Sequence, residues 1–132
     1  MKKQLDLAHG WLRKAESDLQ AVRTLIEAEA SLDAACFHAQ QAAEKALKAY
    51  LTANSIAFPF THNLAKLLTI SEAKDPDFVE LDTIADTLTP YAVESRYDDE
   101  FWPKLDESSE ALTAAESILE FVRARMPVSK ST

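Results

Sequence analysis

Apolar residues recur at alternating spacings of three and four along the first part of the chain, and this spacing constrains the fold more than any other feature. It places one continuous apolar stripe on a helix from about Gln4 to Ala28, because an α-helix turns once in 3.6 residues. The stripe consists of Leu5, Ala8, Leu12, Ala15, Leu19, Val22 and Ile26. The same spacing predicts a second long helix from about Leu32 to Ala53, with Ser31 as its cap.

Shorter helices are predicted after the second one. Residues 54–60 form a connector, and Thr61 is placed to cap a short helix behind it. The Asp75-Pro76 pair predicts the start of a fourth helix, because proline at the first helical position sacrifices no hydrogen bond. Pro90 should kink this helix, yet the apolar spacing continues beyond it, so we expect a kinked extension to about Ser95.

The last part of the chain predicts one more long helix. A loop over residues 96–102 leads to Pro103, where the helix begins, and the apolar pattern continues to about Arg125. The sequence therefore predicts an all-α fold, an antiparallel four-helix up-down bundle with one additional short helix. Residues 1–127 are expected to form this single domain, and residues 128–132 a disordered tail.

The composition excludes several classes of protein. Gly10 is the one glycine, so the chain lacks the loops of dinucleotide-binding, Walker-type and kinase sites, which need several glycines close to phosphate. The three histidines lie far apart and Cys36 is the one cysteine, so we expect no zinc ligand set and no cofactor. A lone cysteine, no secretory signal and no apolar run near the roughly 18 residues that span a bilayer predict a cytoplasmic protein without membrane contact.

Acidic residues are concentrated in one stretch of the chain. Residues 75–110 contain twelve acidic and two basic residues, a formal charge of −10, whereas the remainder carries +2. General binding of nucleic acid is disfavoured, because it depends on a basic surface that neutralises phosphates. A small basic cleft is still compatible with this balance.

Four local patterns together resemble one family. They are Trp11-Leu12-x-x-Ala15-x-x-Asp18-Leu19, Phe37-His38-Ala39-x-Gln41-Ala42-Ala43-Glu44-Lys45-x-x-Lys48, Thr61-His62-x-Leu64 and Arg96-Tyr97. The set is similar to the HEPN domain (higher eukaryotes and prokaryotes nucleotide-binding), in particular to the small prokaryotic group found beside minimal nucleotidyltransferases. The resemblance extends from about residue 5 to residue 125. It implies an antiparallel helical bundle that commonly dimerises and acts in a two-component pair of the toxin–antitoxin or defence kind.

The resemblance also bears on catalysis. Many relatives are metal-independent ribonucleases in which an arginine is followed four to six residues later by a histidine. Here the residues after Arg96 are Tyr97, Asp98, Asp99, Glu100, Phe101, Trp102 and Pro103, with no histidine. That chemistry needs a group that titrates near neutral pH beside the arginine, and acidic side chains in its place would repel RNA. We therefore expect no competent ribonuclease, and whether the protein is an enzyme stays open.

One face of the second helix carries His38, Gln41 and Lys45, because these residues are spaced by three and four. Taken alone, this periodicity is typical of a solvated outer face. The resemblance favours a nucleotide site instead, in which Lys45 and Arg96 hold phosphate. His38 and Gln41 would then hydrogen-bond the nucleotide, with Tyr97 beside them. Arg96 has an equally good alternative, which is to neutralise carboxylates in its own acidic stretch.

Four further polar residues have structural explanations. Glu44 and Lys48 are spaced as an exposed ion pair on one helix. Asp18 lies on the flank of the first apolar stripe, where a partly buried carboxylate can form a structural salt bridge with Lys45 or Arg96. His62, close to a helix start, is predicted to make local hydrogen bonds.

Aromatic side chains predict a surface for a partner. Phe37 lies on the same side of the second helix as the proposed nucleotide site, and Phe101 and Trp102 follow a run of acids. Aromatic anchors beside steering acids suit a protein rather than RNA, either a cognate nucleotidyltransferase or a second copy of this chain. Alternatively, Phe101 and Trp102 close one end of the bundle.

These observations lead to one hypothesis and two alternatives. The leading hypothesis is a HEPN-type bundle that binds a nucleotide or its partner nucleotidyltransferase and works as a homodimer. The first alternative is an active ribonuclease toxin that combines Arg96 with a histidine from elsewhere, such as His38. The second alternative is an interaction scaffold without a ligand.

Overall fold

The computed structural model describes residues 3–92 and 99–127, and within these ranges every regular element is helical. The α-helices are α1 (Gln4–Ala28), α2 (Leu32–Ala53), α3 (Leu64–Lys74), α4 (Asp82–Leu88) and α5 (Leu105–Arg125). Two 3₁₀ helices, Pro76–Leu81 and Thr89–Tyr91, flank α4. The part of the predicted helix extension beyond Ala92 lies outside the described residues, and so does the predicted tail. None of the described helices has the length and apolarity needed to cross a membrane.

The long helices α1, α2 and α5 set the directions of the bundle. A turn at residues 29–31, with positive φ angles of 50° and 51° at its two ends, reverses the chain, so α1 and α2 run antiparallel. Ion pairs join Arg23 to Glu116 and Arg123 to Glu16. Because the residue numbers in these pairs run in opposite order, α5 is antiparallel to α1.

The segment that contains α4 completes the bundle. It starts at the far end of α5, where the Phe78 ring lies 4.9 Å from that of Phe121. It ends near the beginning of α5, where the Tyr91 ring lies 5.6 Å from that of Phe101. The segment therefore runs antiparallel to α5, and the predicted four-helix up-down bundle of α1, α2, α4 and α5 is confirmed. The additional short helix is α3, which packs against α2 and the first 3₁₀ helix.

Alanine makes α2 the central helix of the bundle. Six of its alanines have no exposed surface, namely Ala35, Ala39, Ala42, Ala43, Ala46 and Ala49. Small side chains let α1 and α5 approach the α2 backbone closely, and large side chains such as Leu19, Phe78 and Ile118 fill the space around it. As a consequence, even polar residues of α2 become covered.

The helix caps differ from the prediction. Ser31 precedes α2, but it lies in the left-handed region and its side chain makes no capping hydrogen bond. The cap of α3 is Asn63 rather than Thr61, because the Asn63 side chain accepts the N–H of Lys66. The Thr61 hydroxyl accepts the N–H of Asn63 instead. Both side chains therefore order the entry to α3.

The fourth predicted helix and the last predicted helix also differ from the prediction in where they begin and in their geometry. The Asp75-Pro76 pair starts a 3₁₀ helix, and α-helical geometry begins only at Asp82. The backbone tightens into 3₁₀ geometry again around Pro90, because proline has no N–H for the α-helical ladder. The last helix begins at Leu105 rather than at Pro103.

Candidate functional site

The side chain of Asp18 joins α1 to α2 through two partners. Its Oδ1 lies 3.0 Å from His38 Nδ1, and its Oδ2 accepts a hydrogen bond of 2.7 Å from Lys45 Nζ. Asp18 is only 8% exposed, and a carboxylate so covered needs partners of this kind. We call Asp18, His38 and Lys45 the first trio. The sequence predicts that Asp18 pairs with Lys45 or Arg96, and in the described part of the chain it pairs with Lys45.

The side chain of Glu44 organises a second cluster of the same composition. Its Oε1 lies 3.0 Å from His62 Nδ1, and its Oε2 accepts a hydrogen bond of 2.9 Å from Lys48 Nζ. We call Glu44, His62 and Lys48 the second trio. The prediction that Glu44 and Lys48 form an exposed pair is wrong, because their side chains are only 4% and 9% exposed. His62, expected to bond locally, contacts a carboxylate on another helix.

Two glutamines of α2 extend the hydrogen bonds around the second trio. Gln41 Nε2 donates to Gln40 Oε1 at 2.8 Å and lies 3.4 Å from Glu44 Oε1. Gln40 Nε2 donates to the backbone carbonyl of His62 at 3.0 Å. Among the residues that the structure describes, no buried side-chain nitrogen or oxygen is left without a partner. The network therefore holds the polar side chains of α2 in place.

The α2 face, by which we mean His38, Gln41, Lys45 and Lys48, is therefore not a solvated outer face. Gln41 and Lys45 are half-buried and Lys48 is buried. The cover comes from α1 on one side and from the connector before α3 on the other. The expectation of a solvated face, which rests on periodicity alone, is wrong.

Both histidines present the same ring nitrogen to the outside. Each uses Nδ1 toward a carboxylate, which leaves Nε2 available, and the side chains of His38 and His62 are 38% and 46% exposed. A carboxylate on one nitrogen orients the ring and selects its tautomer. Because Nδ1 holds the proton that faces the carboxylate, Nε2 of the neutral ring accepts a hydrogen bond or a proton, and it can donate to an oxyanion only when the ring is protonated.

Aromatic rings surround the ammonium of Lys48. Its Nζ lies 5.5 Å from the ring centroid of Trp11, 5.8 Å from that of Phe58 and 6.0 Å from that of Phe60. Such distances stabilise a cation over an aromatic face. Phe60 is 96% exposed, which is unusual for a large apolar side chain. The sequence reasoning missed Phe58 and Phe60, although two phenylalanines around Pro59 in a connector were a visible signal.

The candidate aromatic residues for a partner surface differ in exposure. The half-buried Phe37 places its ring 5.7 Å from that of His38. Phe101 packs against the core, which corresponds to the alternative of closing the bundle end. Trp102 is 71% exposed, and its Nε1 donates to the Asp99 carbonyl. The candidates Arg96 and Tyr97 lie outside the described residues.

An open cleft of about 570 Å³ adjoins the second trio on its α4 side. Its lining residues include His62, Asn63, Leu64, Asp86, Thr89 and Pro90. A volume of this order is in the range of small-molecule sites. Within residues 3–92 and 99–127, no group of three or more histidine, cysteine or acidic side chains is arranged to bind a metal ion.

Comparisons with known proteins agree with this architecture. The family model described as HEPN domain matches residues 8–125. The crystal structure of ST0689, an archaeal HEPN homologue, is 27% identical in sequence with a TM-score of 0.75, over 96% of this chain and 100% of that one. The crystal structure of TT1696 from Thermus thermophilus is 30% identical with a TM-score of 0.73, over 89% of this chain and 97% of that one. No curated protein matches the chain significantly.

Proposed function

Since the chain belongs to the HEPN domain family, we propose that it is the nucleotide-binding member of a two-component pair of the toxin–antitoxin kind, whose other member is a minimal nucleotidyltransferase. In this proposal it works in the cytoplasm as a homodimer and is not a competent ribonuclease. The observation that carries the proposal is the placement of His38, Gln41 and Lys45 next to one another on a covered face of α2.

The donors of the α2 face suit a phosphate group. An ammonium has three N–H donors, and Lys45 directs one of them to Asp18, so the other two can serve phosphate oxygens. His38 Nε2, which is unprotonated while Nδ1–H donates to Asp18, can accept a hydrogen bond from an N–H or O–H group of the nucleotide. Asp18 holds both side chains in place, which lowers the entropy lost when a ligand binds. Arg96 and Tyr97, proposed from the sequence, complete the set.

A nucleotide titration tests this part of the proposal. Thermal unfolding with millimolar ATP or GTP should show a rise in Tm, with a stabilisation of RT ln(1 + [L]/Kd), about 2.7 kcal/mol at a hundredfold excess over Kd. Lys45→Gln should abolish most of that rise. Lys66→Gln is the matched control, because Lys66 is an exposed lysine on a different helix, α3. Since each variant is compared with its own nucleotide-free Tm, lost stability does not mimic lost binding. Equal shifts in both variants, or none in the wild type, would refute the site.

The partner side of the proposal rests on the acidic stretch. Residues 75–110 carry a formal charge of −10, and Trp102 is exposed nearby. A basic surface on the nucleotidyltransferase would be steered by the acids and anchored by the indole. Binding of a purified minimal nucleotidyltransferase should weaken as salt is raised, and again in Trp102→Ala. An association that responds to neither change would contradict this docking mode.

The homodimer is supported by exposed apolar side chains, of which Phe60 lies beside the α2 face. Phe60 and Leu7 are 96% and 44% exposed, and burial of a phenylalanine side chain is worth about 1.5–3 kcal/mol. Light scattering should give twice the chain mass of 14.7 kDa. Phe60→Ser should shift the protein toward monomer. The control Val79→Ser, at a residue 57% exposed on the first 3₁₀ helix, should not. A monomeric wild type would exclude the dimer.

A second candidate function is metal-independent RNA cleavage, and one observation favours it. Asp18 orients the His38 imidazole as a carboxylate orients a catalytic base, which would replace the histidine missing after Arg96. RNA incubated with the protein and a chelator should then be cleaved, and Arg96→Ala and His38→Ala should each remove the activity. Intact RNA, together with a nucleotide-dependent Tm, selects the first proposal. Intact RNA without any nucleotide effect leaves only an interaction scaffold.

A further inference from the structure

A separate cleft opens between α1 and α5. It has a volume of about 470 Å³ and is lined by His9, Leu12, Arg13, Glu16, Arg123 and Met126. At 100° per residue, positions 9, 13 and 16 lie on the side of α1 opposite to positions 11 and 18, which contact α2 residues of the trios. This α1–α5 cleft is therefore independent of the site discussed above.

The acidic group in the cleft is already neutralised. Glu16 accepts hydrogen bonds of 3.0 Å from Arg23 on one oxygen and 3.0 Å from Arg123 on the other. These two guanidiniums, Arg23 first, hold the pKa of the Glu16 carboxyl below its ordinary value. Arg123 donates through one Nη to Glu16, and its other nitrogens remain available.

The guanidinium of Arg13 is the second cation that lines the cleft. Arg13 forms no ion pair with any described residue. Its side chain lies along α1 next to Gly10, where its Nη2 is 3.8 Å from the position of a Cβ added to that glycine. Arg123 can be explained as a cation that balances the dipole at the end of α5. Arg13 cannot, because it lies within α1 and not in its last turn. The cleft mouth thus holds an excess of positive charge in a chain of net charge −8.

We propose that the α1–α5 cleft binds a small phosphate monoester. The planar forks of Arg13 and Arg123 match the oxygens of a phosphate, and His9 can add a third donor. The side chains of Leu12 and Met126 offer an apolar floor for the body of the ligand, and the volume lies within the range of small-molecule sites.

The surroundings select against a nucleic-acid backbone. Next along the α1–α5 seam lies a smaller cavity of about 220 Å³, whose charged lining residues are Glu16, Glu116 and Glu120 together with Arg23 and Arg123. The three carboxylates outnumber the two guanidiniums, so a chain of phosphates that continued into this cavity would meet a net negative charge on these carboxylates and be disfavoured. A single terminal phosphate on a compact body avoids them.

The test is an NMR titration of the whole protein with phenyl phosphate, inorganic phosphate and phenol, followed on backbone amides. Phenyl phosphate should perturb the signals of residues 9–16 and of the last turn of α5, and inorganic phosphate should do so more weakly. Phenol should have little effect. Arg13→Ala should weaken phenyl phosphate binding about tenfold or more, because charge-assisted hydrogen bonds are lost. Lys14→Ala, which removes the same charge from the next residue, should change it less than about twofold.

Several results would overturn the assignment. No perturbation at about 10 mM phenyl phosphate would exclude a site of useful affinity. Equal losses in Arg13→Ala and Lys14→Ala would show general charge attraction rather than a built site. Perturbations centred on Lys45 would assign the phosphate to the α2 face. A 5′-phosphorylated oligonucleotide that binds here more tightly than phenyl phosphate would contradict the choice of a small monoester. Lys45→Gln should leave this titration unchanged, so the outcome is separable from that of the nucleotide proposal.

Discussion

The buried ion pair of the second trio gives the most decisive test of the α2 face. Glu44→Ala removes the carboxylate that both Lys48 and His62 contact. The Lys48 side chain is only 9% exposed, so its ammonium cannot be fully hydrated in place. Removal of one partner from a buried pair typically costs about 3–5 kcal/mol.

The aromatic rings reduce that cost. Three centroids lie 5.5–6.0 Å from Lys48 Nζ, and each cation–π contact is worth about 0.5–1 kcal/mol at an exposed site and about 2 kcal/mol when desolvated. We therefore expect Glu44→Ala to lower the free energy of unfolding by roughly 3 kcal/mol, at the lower end of the range for buried pairs. Lys48→Met should lower it by only about 1–2 kcal/mol, because methionine fills the space and the carboxylate keeps His62 and the two glutamine amides.

The assay is urea unfolding followed by circular dichroism, at one fixed protein concentration so that self-association does not differ between variants. The double variant should be less destabilised than the two single losses added together, with a coupling energy of about 1–3 kcal/mol. The surface pair of Arg23 and Glu116, with side chains 41% and 38% exposed, is the matched control, and its coupling should stay below about 1 kcal/mol. A loss below about 1 kcal/mol for Glu44→Ala, with coupling near zero, would refute the buried network.

Three further outcomes follow from single residues. Gly10→Ala should raise stability by about 0.5–1 kcal/mol, because Gly10 lies inside α1 and a Cβ there would meet Arg13 Nη2 only at 3.8 Å; urea unfolding checks this, and a loss would mean that the site needs the space. Glu16 has its pKa lowered in the folded state, chiefly by Arg23, so the stability it adds is present above the ordinary value of 4.5 and is lost as pH falls further. The free energy of unfolding of Glu16→Gln should therefore fall less than that of the wild type as the pH is lowered, by a few tenths of a kcal/mol. Cys36 is fully buried, and burial raises the pKa of its thiol, so a thiol reagent should react only as fast as the protein opens, and rapid native-state labelling would contradict this.

The long helices could be predicted from the sequence because their signal is redundant. α1 and α2 begin and end at the predicted residues, since seven or more periodic apolar positions outweigh any single error. The shorter helices offer fewer positions, and their ends are decided by local hydrogen bonds. That is why Asn63 rather than Thr61 caps α3, and why the Asp75-Pro76 pair opens a 3₁₀ helix.

The sequence predicts which side of α2 the candidate residues share, but it does not predict how deeply they are buried. Helical spacing correctly placed His38, Gln41 and Lys45 on one side of α2, because it reports direction around the helix axis. It carries no information about what packs against that side. The cover comes partly from residues 54–63, a connector with no periodic pattern, so the burial of Glu44 and Lys48 could not be read from the sequence.

Charge balance on the α2 face bears on which ligand suits it. Each trio contains one carboxylate and one ammonium, so each is neutral while its histidine is neutral. A neutral face on a chain of net charge −8 creates no long-range field that would draw in a polyanion, and RNA binding depends on such a field. Affinity on this face has to come from short-range hydrogen bonds to oriented donors, whose positions Asp18 and Glu44 already hold. In the nucleotide proposal, a single nucleotide can place a phosphate on Lys45 and an N–H or O–H group on His38 at close range, and it is therefore better matched to the α2 face than an RNA strand.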